Sequence, residues 1–240
     1  MPRSAVVLVA AGSGTRVGAA TNKVLLPLLG RPVLAWSLRT VASLAYVDRL
    51  VVVVRPEDAD VVAGLVADEL RPDQEATLVA GGATRHGSEQ RGLAPLREAV
   101  SAGEVEVVAV HDAARPLADV GLFDATVRLA HEVGGALPVR RQEGLVSGLV
   151  DRGPRRSAAH VRGLVAVQTP QAFRAGPLLE AYARAEGDGF SAATDTAGCV
   201  AAYSDVEIRG VPAPATNLKI TFPDDVALAK RLVAARASAG

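Results

Sequence analysis

A chain of 240 residues, 49% hydrophobic and 22% charged, is long enough to bury a core and is ordinary in composition for a globular domain. Its formal net charge is zero, which argues against coating a polyanion such as nucleic acid, so any phosphate recognition must be local. A single cysteine, Cys199, excludes an internal disulfide and a cysteine zinc site, and no apolar run approaches the roughly 18 residues needed to span a bilayer.

In chain order, short runs rich in β-branched residues alternate with segments of helical period. Strands are expected at 5–9, 50–54, 76–79, 105–110 and 135–139, with helices near 34–44, 56–70, 84–99 and 120–133. In the last helix Leu122, Phe123, Thr126, Leu129, Ala130 and Val133 share one face. Strands this apolar, separated by helices, predict a doubly wound α/β fold with a mainly parallel sheet, whose ligands lie beyond the carboxyl ends of the strands. The pattern breaks at 140–162, "RRQEGLVSGLVDRGPRRSAAHVR", which is polar, turn-rich and aperiodic around a short apolar centre. It reads as a hairpin arm within a single domain, its apolar centre buried on a second copy of the chain. Beyond it, "VAVQTPQAF" reads as strand and loop, 177–185 as a helix, 206–211 and 218–220 as strands, and 224–237 as a closing helix. The N-terminal apolar stretch is too short for a secretory signal, so the chain is expected to be cytoplasmic. Cys199 is expected to be a small buried residue.

The first strand empties into "AAGSGTRVG". No Gly-Lys-Ser/Thr closes this loop, so it is not a P-loop, and Val17 stands where a dinucleotide fingerprint requires glycine. Gly12 and Gly14 still let the backbone turn sharply and present bare N–H groups to a ligand. The same loop carries Arg16 and Lys23, and Lys23 is one of only three lysines, with Lys219 and Lys230, among 26 basic residues. A chain that uses arginine almost everywhere keeps lysine where a compact point charge fits and a planar fork does not.

The stretch "AAGSGTRVG…NKVLLPLLGRPVL", with "GGATRHGS" (81–88), "HDAARP" (111–116), "QTPQAF" (168–173), "TDTA" (194–197) and "NLKITFPDD" (217–225), resembles the 2-C-methyl-D-erythritol 4-phosphate cytidylyltransferase family over essentially the whole chain. The resemblance implies a Rossmann-like nucleotidyltransferase fold and a reaction of CTP with a polyol phosphate, assisted by Mg2+. The acceptor's phosphate oxygen attacks the α-phosphorus of CTP in line and pyrophosphate leaves, so alignment and charge stabilisation matter more than a side-chain nucleophile. By resemblance Arg16 and Lys23 neutralise the triphosphate and the transition state. The backbone of Ala10, Ala11, Gly12 and Gly14, with Ala113, holds the nucleotide, and Gly82 and Ser88 contact the cytosine. Asp112 stands at the reacting centre as the magnesium ligand beside Arg115. Lys219 positions the incoming phosphate, and Thr169 contacts the acceptor. The resemblance also implies a homodimer.

Two positions depart from the family. Gln142 occupies the place of an acceptor-binding threonine, and Val161 that of an arginine, whose nearest substitute is Arg162. A one-residue slip in extended chain turns a side chain to the other face, so Arg162 reaches the site only through a bulge or a shifted loop. The expected acceptor is methylerythritol phosphate. The alternatives are another polyol phosphate, such as ribitol 5-phosphate, or a weakly active paralogue.

Overall fold

The computed structural model describes residues 1–12, 22–142, 165–190 and 193–238. The segments 13–21 and 143–164 lie outside this set, and with them Gly14, Arg16, Val161 and Arg162.

The chain opens with β1 (Ser4–Val9), then a short two-stranded hairpin of β2 (Pro27–Leu28) and β3 (Arg31–Pro32), whose turn places Leu29 (φ 50°) and Gly30 (φ 80°) in left-handed conformation. There follow α1 (Val33–Ala42), β4 (Val47–Val54), α2 (Ala59–Glu69), β5 (Glu75–Ala80), α3 (Arg85–Leu93), α4 (Arg97–Ser101), β6 (Val107–Asp112), α5 (Val120–Val133) and β7 (Gly134–Arg141). The chain closes with β8 (Val165–Val167), β9 (Gln171–Arg174), α6 (Ala175–Gly187), α7 (Thr196–Tyr203), β10 (Glu207–Pro212) and α8 (Pro223–Ser238).

Among the described residues one sheet runs in the order β10-β7-β9-β6-β1-β4-β5, with β8 added to β7. The pairs β1–β4, β1–β6, β4–β5 and β7–β10 are parallel, while β9 lies antiparallel between β6 and β7. Side-chain alternation splits each central strand between two cores. Val6 and Leu8 of β1, with Leu50 and Val52 of β4, face α1, α2 and α5. Val7 of β1, with Val51 and Val53 of β4, faces α3, α6 and α7. Gly92 of α3 is required by this packing, because a Cβ there would sit 2.6 Å from the Val7 side chain. Cys199 is fully buried in the second core, and burial pushes its thiol up to about 11.

The expected sheet and helices are present, with five corrections. The segment 56–70 is a 3-10 turn (Pro56–Asp58) followed by α2, and 84–99 divides into α3, a second 3-10 turn (Ala94–Leu96) and α4. Residues 218–220 are not a strand: the Ile220 N–H is taken by the Ala114 carbonyl (2.8 Å), which pins the segment to a loop rather than a ladder. Helix α7 had no amphipathic signature, since its run of small residues is apolar on most sides; Asp195 caps it by accepting from the Gly198 N–H (2.9 Å). "QTPQAF" contributes a full sheet strand, β9, and not only a loop.

Candidate active site

A parallel sheet leaves a crevice beyond its strand ends where neighbouring strands connect in opposite directions, here between β1 and β6. A cleft of about 360 Å³ occupies that place, within the size range of nucleotide and cofactor sites. Ala11, Gly12, Lys23, Gly82, Ser88, Asp112 and Lys219 of the expected residues line it. A second hollow of about 210 Å³ adjoins it across Asp112 and is lined by Asp112, Arg115, Thr169 and Lys219 together with Gln168, Thr194 and Asp195. Arg85, Asp112 and Lys219 line both halves. Among the described lining residues the cations Lys23, Arg85, Arg115 and Lys219 outnumber the acids Asp112 and Asp195, which suits an anionic ligand.

The nucleotide-facing wall is built from backbone and short side chains. Thr84 caps α3 by accepting from the Gly87 N–H (3.0 Å), and the Ser88 hydroxyl accepts from the Gly82 N–H (3.1 Å) while donating to the Thr84 carbonyl (2.9 Å). Gly82 has no alternative here, because a Cβ would meet the Gly87 carbonyl carbon at 2.7 Å. On the opposite side Lys23 sits in a 3-10 turn that is anchored from beneath by buried Asn22. Asn22 donates to the Ala10 carbonyl (3.0 Å) and to Asp58 Oδ2 (2.8 Å), and its own Oδ1 accepts from the Val24 N–H (3.3 Å). Asp58 is in turn gripped by Arg55 at 2.7 and 2.9 Å. Lys23 is thereby held at 9% exposure with a fixed base.

The centre of the site is Asp112, the last residue of β6. Lys219 Nζ stands 2.8 Å from its Oδ2 and Arg85 Nη1 2.6 Å from its Oδ1, with Arg115 Nε at 3.7 Å. Burial alone would push this carboxyl up, but Arg85, Lys219 and Arg115 together hold it well below the usual carboxylate range. Lys219 is brought there by its neighbour Asn217, which donates to Gln168 Oε1 (2.8 Å) and the Thr169 carbonyl (3.1 Å), and Arg115 Nη1 donates to the Asn217 carbonyl (2.8 Å).

His111 is not available as a base. Its Nε2 faces the Arg115 carbonyl (3.3 Å), which can only accept, so the proton resides on Nε2 and Nδ1 accepts from the Thr169 hydroxyl (3.0 Å). That hydroxyl also accepts from the Asp112 N–H (3.0 Å), so Thr169 locks the end of β6. Burial lowers the imidazole pKa to about 4 and keeps it neutral.

Three of the sequence-predicted residues stand apart from the cleft walls. Ala10 and Ala113 are buried behind them, their N–H groups spent on Val53 and Val9 carbonyls, and Ala114 takes the lining position. Gln142 follows β7 and lines neither half. The residue missed by sequence reasoning is Arg85. Its signal was a cation in the first turn of a helix, against the helix dipole, where it is unfavourable unless a specific anion holds it. Asn22 and Asp58 were also missed, because nothing in the chain links positions 36 residues apart.

For a divalent cation, no group of three or more His, Cys, Asp or Glu side chains is gathered among the described residues. Asp112 is the carboxylate common to both halves, so it fits only the mode in which one carboxylate shares the ion with substrate phosphates. Among the described residues no helix is long and apolar enough to cross a membrane.

The family model of IspD, 2-C-methyl-D-erythritol 4-phosphate cytidylyltransferase, matches residues 4–235. The chain is 41% identical to the enzyme of that name from Deinococcus radiodurans, over 96% of this chain and 90% of the relative. It also matches a bifunctional IspD/IspF enzyme of Rhodopseudomonas palustris at 36% identity, over 93% of this chain but 54% of that protein, so it spans about half the length of that relative. Among solved structures, the 2-C-methyl-D-erythritol 4-phosphate cytidylyltransferase of Thermus thermophilus superposes with a TM-score of 0.70 at 30% identity, covering 97% of this chain and 98% of that one. The 4-diphosphocytidyl-2C-methyl-D-erythritol synthase of Anaerococcus prevotii reaches 0.81 at 24% identity, over 97% and 96% of the two chains, a likeness of fold.

Proposed function

This chain belongs to the 2-C-methyl-D-erythritol 4-phosphate cytidylyltransferase family, and from that premise we propose how its divided cleft carries out a cytidylyl transfer. CTP occupies the larger half and 2-C-methyl-D-erythritol 4-phosphate the smaller. A phosphate oxygen of the acceptor forms a bond to the α-phosphorus of CTP as the bond to the β-phosphate oxygen breaks. The products are 4-diphosphocytidyl-2-C-methyl-D-erythritol and pyrophosphate, in a step of non-mevalonate isoprenoid synthesis. The acceptor phosphate is largely dianionic at pH 7, since its second pKa is about 6, so the reaction needs no general base. A neutral His111 with both nitrogens engaged is in keeping with that.

One observation carries the reading. Asp112 and its three cations sit on the boundary between two adjoining hollows, where two phosphate-bearing substrates would meet. Gly82 and Ser88 form the base-recognising wall, and the backbone of Ala11 and Gly12 approaches the triphosphate. Lys23, with Arg16, opposes the charge that develops on the phosphoryl oxygens. Arg115, Lys219 and Thr169 orient the acceptor. Asp112 would hold Mg2+ together with phosphate oxygens; the ion, when bound, neutralises the triphosphate.

Residues 1–240 are read as one nucleotidyltransferase domain with an arm at 140–162, working in the cytoplasm, where CTP is held. The antiparallel pairing of β7 with β8 at the base of that segment supports a hairpin arm. Val165 and Val167, 41% and 45% exposed on β8, support an apolar contact with a second copy. In a homodimer Gln142 and Arg162 would serve the partner's acceptor half. Light scattering that finds a monomer at micromolar concentration refutes this arrangement.

The activity is tested by pyrophosphate release from CTP with methylerythritol phosphate and ribitol 5-phosphate side by side. The expected result is kcat/KM at least about 100-fold higher for methylerythritol phosphate, the scale set by one or two hydrogen bonds to acceptor hydroxyls. Release with neither acceptor, or faster release with ribitol phosphate, overturns the assignment.

A further inference from the structure

Glu89 is fully buried on α3, yet its carboxylate is surrounded by donors from three separate elements. Arg85 Nε donates to Oε1 at 2.9 Å, the Thr196 hydroxyl of α7 donates to the same oxygen at 3.1 Å, and the Tyr182 hydroxyl of α6 donates to Oε2 at 2.6 Å. Two of the donors lead into the site, while Tyr182 holds the carboxylate from the core. Arg85 carries its other nitrogen, Nη1, to Asp112 and lines both halves of the cleft. Thr196 opens the helix whose cap, Asp195, lines the acceptor half beside Thr194. Asp195 is itself fixed by the Gln171 amide at 3.0 Å. Ser88, next to Glu89 along α3, lines the nucleotide half.

A carboxylate at this position is not what packing alone would choose. Burying an ion pair between helices carries a desolvation cost that apolar side chains of similar volume avoid. What the carboxylate adds is direction. It fixes the plane of the Arg85 guanidinium, and with it the oxygen of Asp112 that Arg85 holds, leaving the other oxygen to Lys219.

We infer that Glu89 is a positioning residue for the acceptor half of the active site: it fixes Arg85 against Asp112 and, through Thr196, fixes the wall of the acceptor half, while touching neither substrate. The inference rests on the cytidylyl transfer proposed above. Because its link runs to Asp112 and the acceptor wall, its loss falls on acceptor use and spares CTP binding.

The test compares wild type with Glu89→Gln, which keeps the shape and removes the charge, and with Arg85→Lys, which keeps the charge and removes the fork. Steady-state constants for both substrates, CTP affinity by calorimetry and thermal midpoints are measured together. The Glu89→Gln variant is expected to raise the KM for methylerythritol phosphate about tenfold, the lower end for a charge-assisted hydrogen bond. CTP affinity should stay within about twofold of wild type. The double variant should be little worse than Arg85→Lys, since both changes break one link. Wild-type acceptor constants in Glu89→Gln, additive losses in the double variant, or CTP affinity falling in step with acceptor use each overturn the inference. If Glu89→Gln does not fold, Thr196→Val removes a single donor, and an unchanged acceptor KM there overturns it equally. A wild type inactive with methylerythritol phosphate removes the reaction and the inference together, whereas an active wild type with indifferent variants removes the inference alone.

Discussion

Replacing Asp112 with asparagine removes the one negative charge on which Arg85, Lys219 and Arg115 converge. The asparagine fits the space, but its amide presents N–H groups to a cation on one side, and the three positive groups are left to repel one another. A unit pair at 4 Å is worth about 4 kcal/mol at an effective dielectric of 20. Measured losses from breaking a buried pair run at about 3–5 kcal/mol. Lys219 and Arg85 are partly open to solvent in the cleft, so the lower end applies, about 3 kcal/mol. For a domain of this size that corresponds to a fall in the thermal midpoint of about 6–12 °C. A ligand bearing phosphates supplies the missing anion, so saturating CTP should raise the midpoint of Asp112→Asn by at least as much as that of wild type. The same carboxyl sets an acid limb. Its folded pKa is depressed, so its stabilisation is present above the unfolded value of about 3.9 and is lost as pH falls through the folded value. The variant should lack that limb. Calorimetric scans of both proteins, with and without CTP, from pH 8 down to about pH 2 provide the measurement. An unfolding free energy within about 1 kcal/mol of wild type at pH 7, with an unchanged acid limb, would refute the account of Asp112 as the charge centre.

Lys23→Ala should lower turnover by about 100-fold or more without altering the circular dichroism spectrum, as expected for the loss of one preorganised charge at a developing anion. Lys230→Arg, on the exposed face of α8, is the silent control, and a Lys23→Ala rate within a few-fold of wild type removes the lysine from the mechanism. Asn22→Ala leaves the buried Asp58 and the Ala10 carbonyl each short of a donor, so urea unfolding should show a loss of about 1–3 kcal/mol, accompanied by reduced kcat because the turn carrying Lys23 is released. His111, lowered from 6.5 to about 4, is bound by a proton more readily in the unfolded chain, so its burial stabilises the fold fully above pH 6.5 and loses on the order of 3 kcal/mol as pH falls toward 4. NMR shifts of the His111 imidazole that titrate between pH 5 and 8 in the native protein would contradict this.

The alternation of apolar strands with helical periods was enough to establish a doubly wound sheet, because both signals are local: a strand buried on two faces must be apolar along its buried length, as residues 5–8 of β1, 50–54 of β4 and 107–110 of β6 are. Gly12, just beyond β1, was legible from its glycine-rich loop and Lys23 from the scarcity of lysine, whereas Ala11, Gly82, Ser88 and Asp112 were legible through the resemblance of their motifs to a known family. Lys219 drew attention because lysine is scarce and because its motif resembles the family; its contact with Asp112 depends on a segment pinned to the 111–118 loop by single hydrogen bonds, not on any periodic element. Arg85, Asn22, Asp58 and Glu89 acquire their roles from partners far along the chain, Glu89 from Tyr182 and Thr196 and Asn22 from Asp58, and no local pattern marks such a pair. A sequence states which side chains carry charge and which strand ends are glycine-rich. Which carboxylate meets which cation is decided by the packing of α3, α6 and α7 against one face of the sheet, because an ion pair acts across a few ångströms of space and not along the chain.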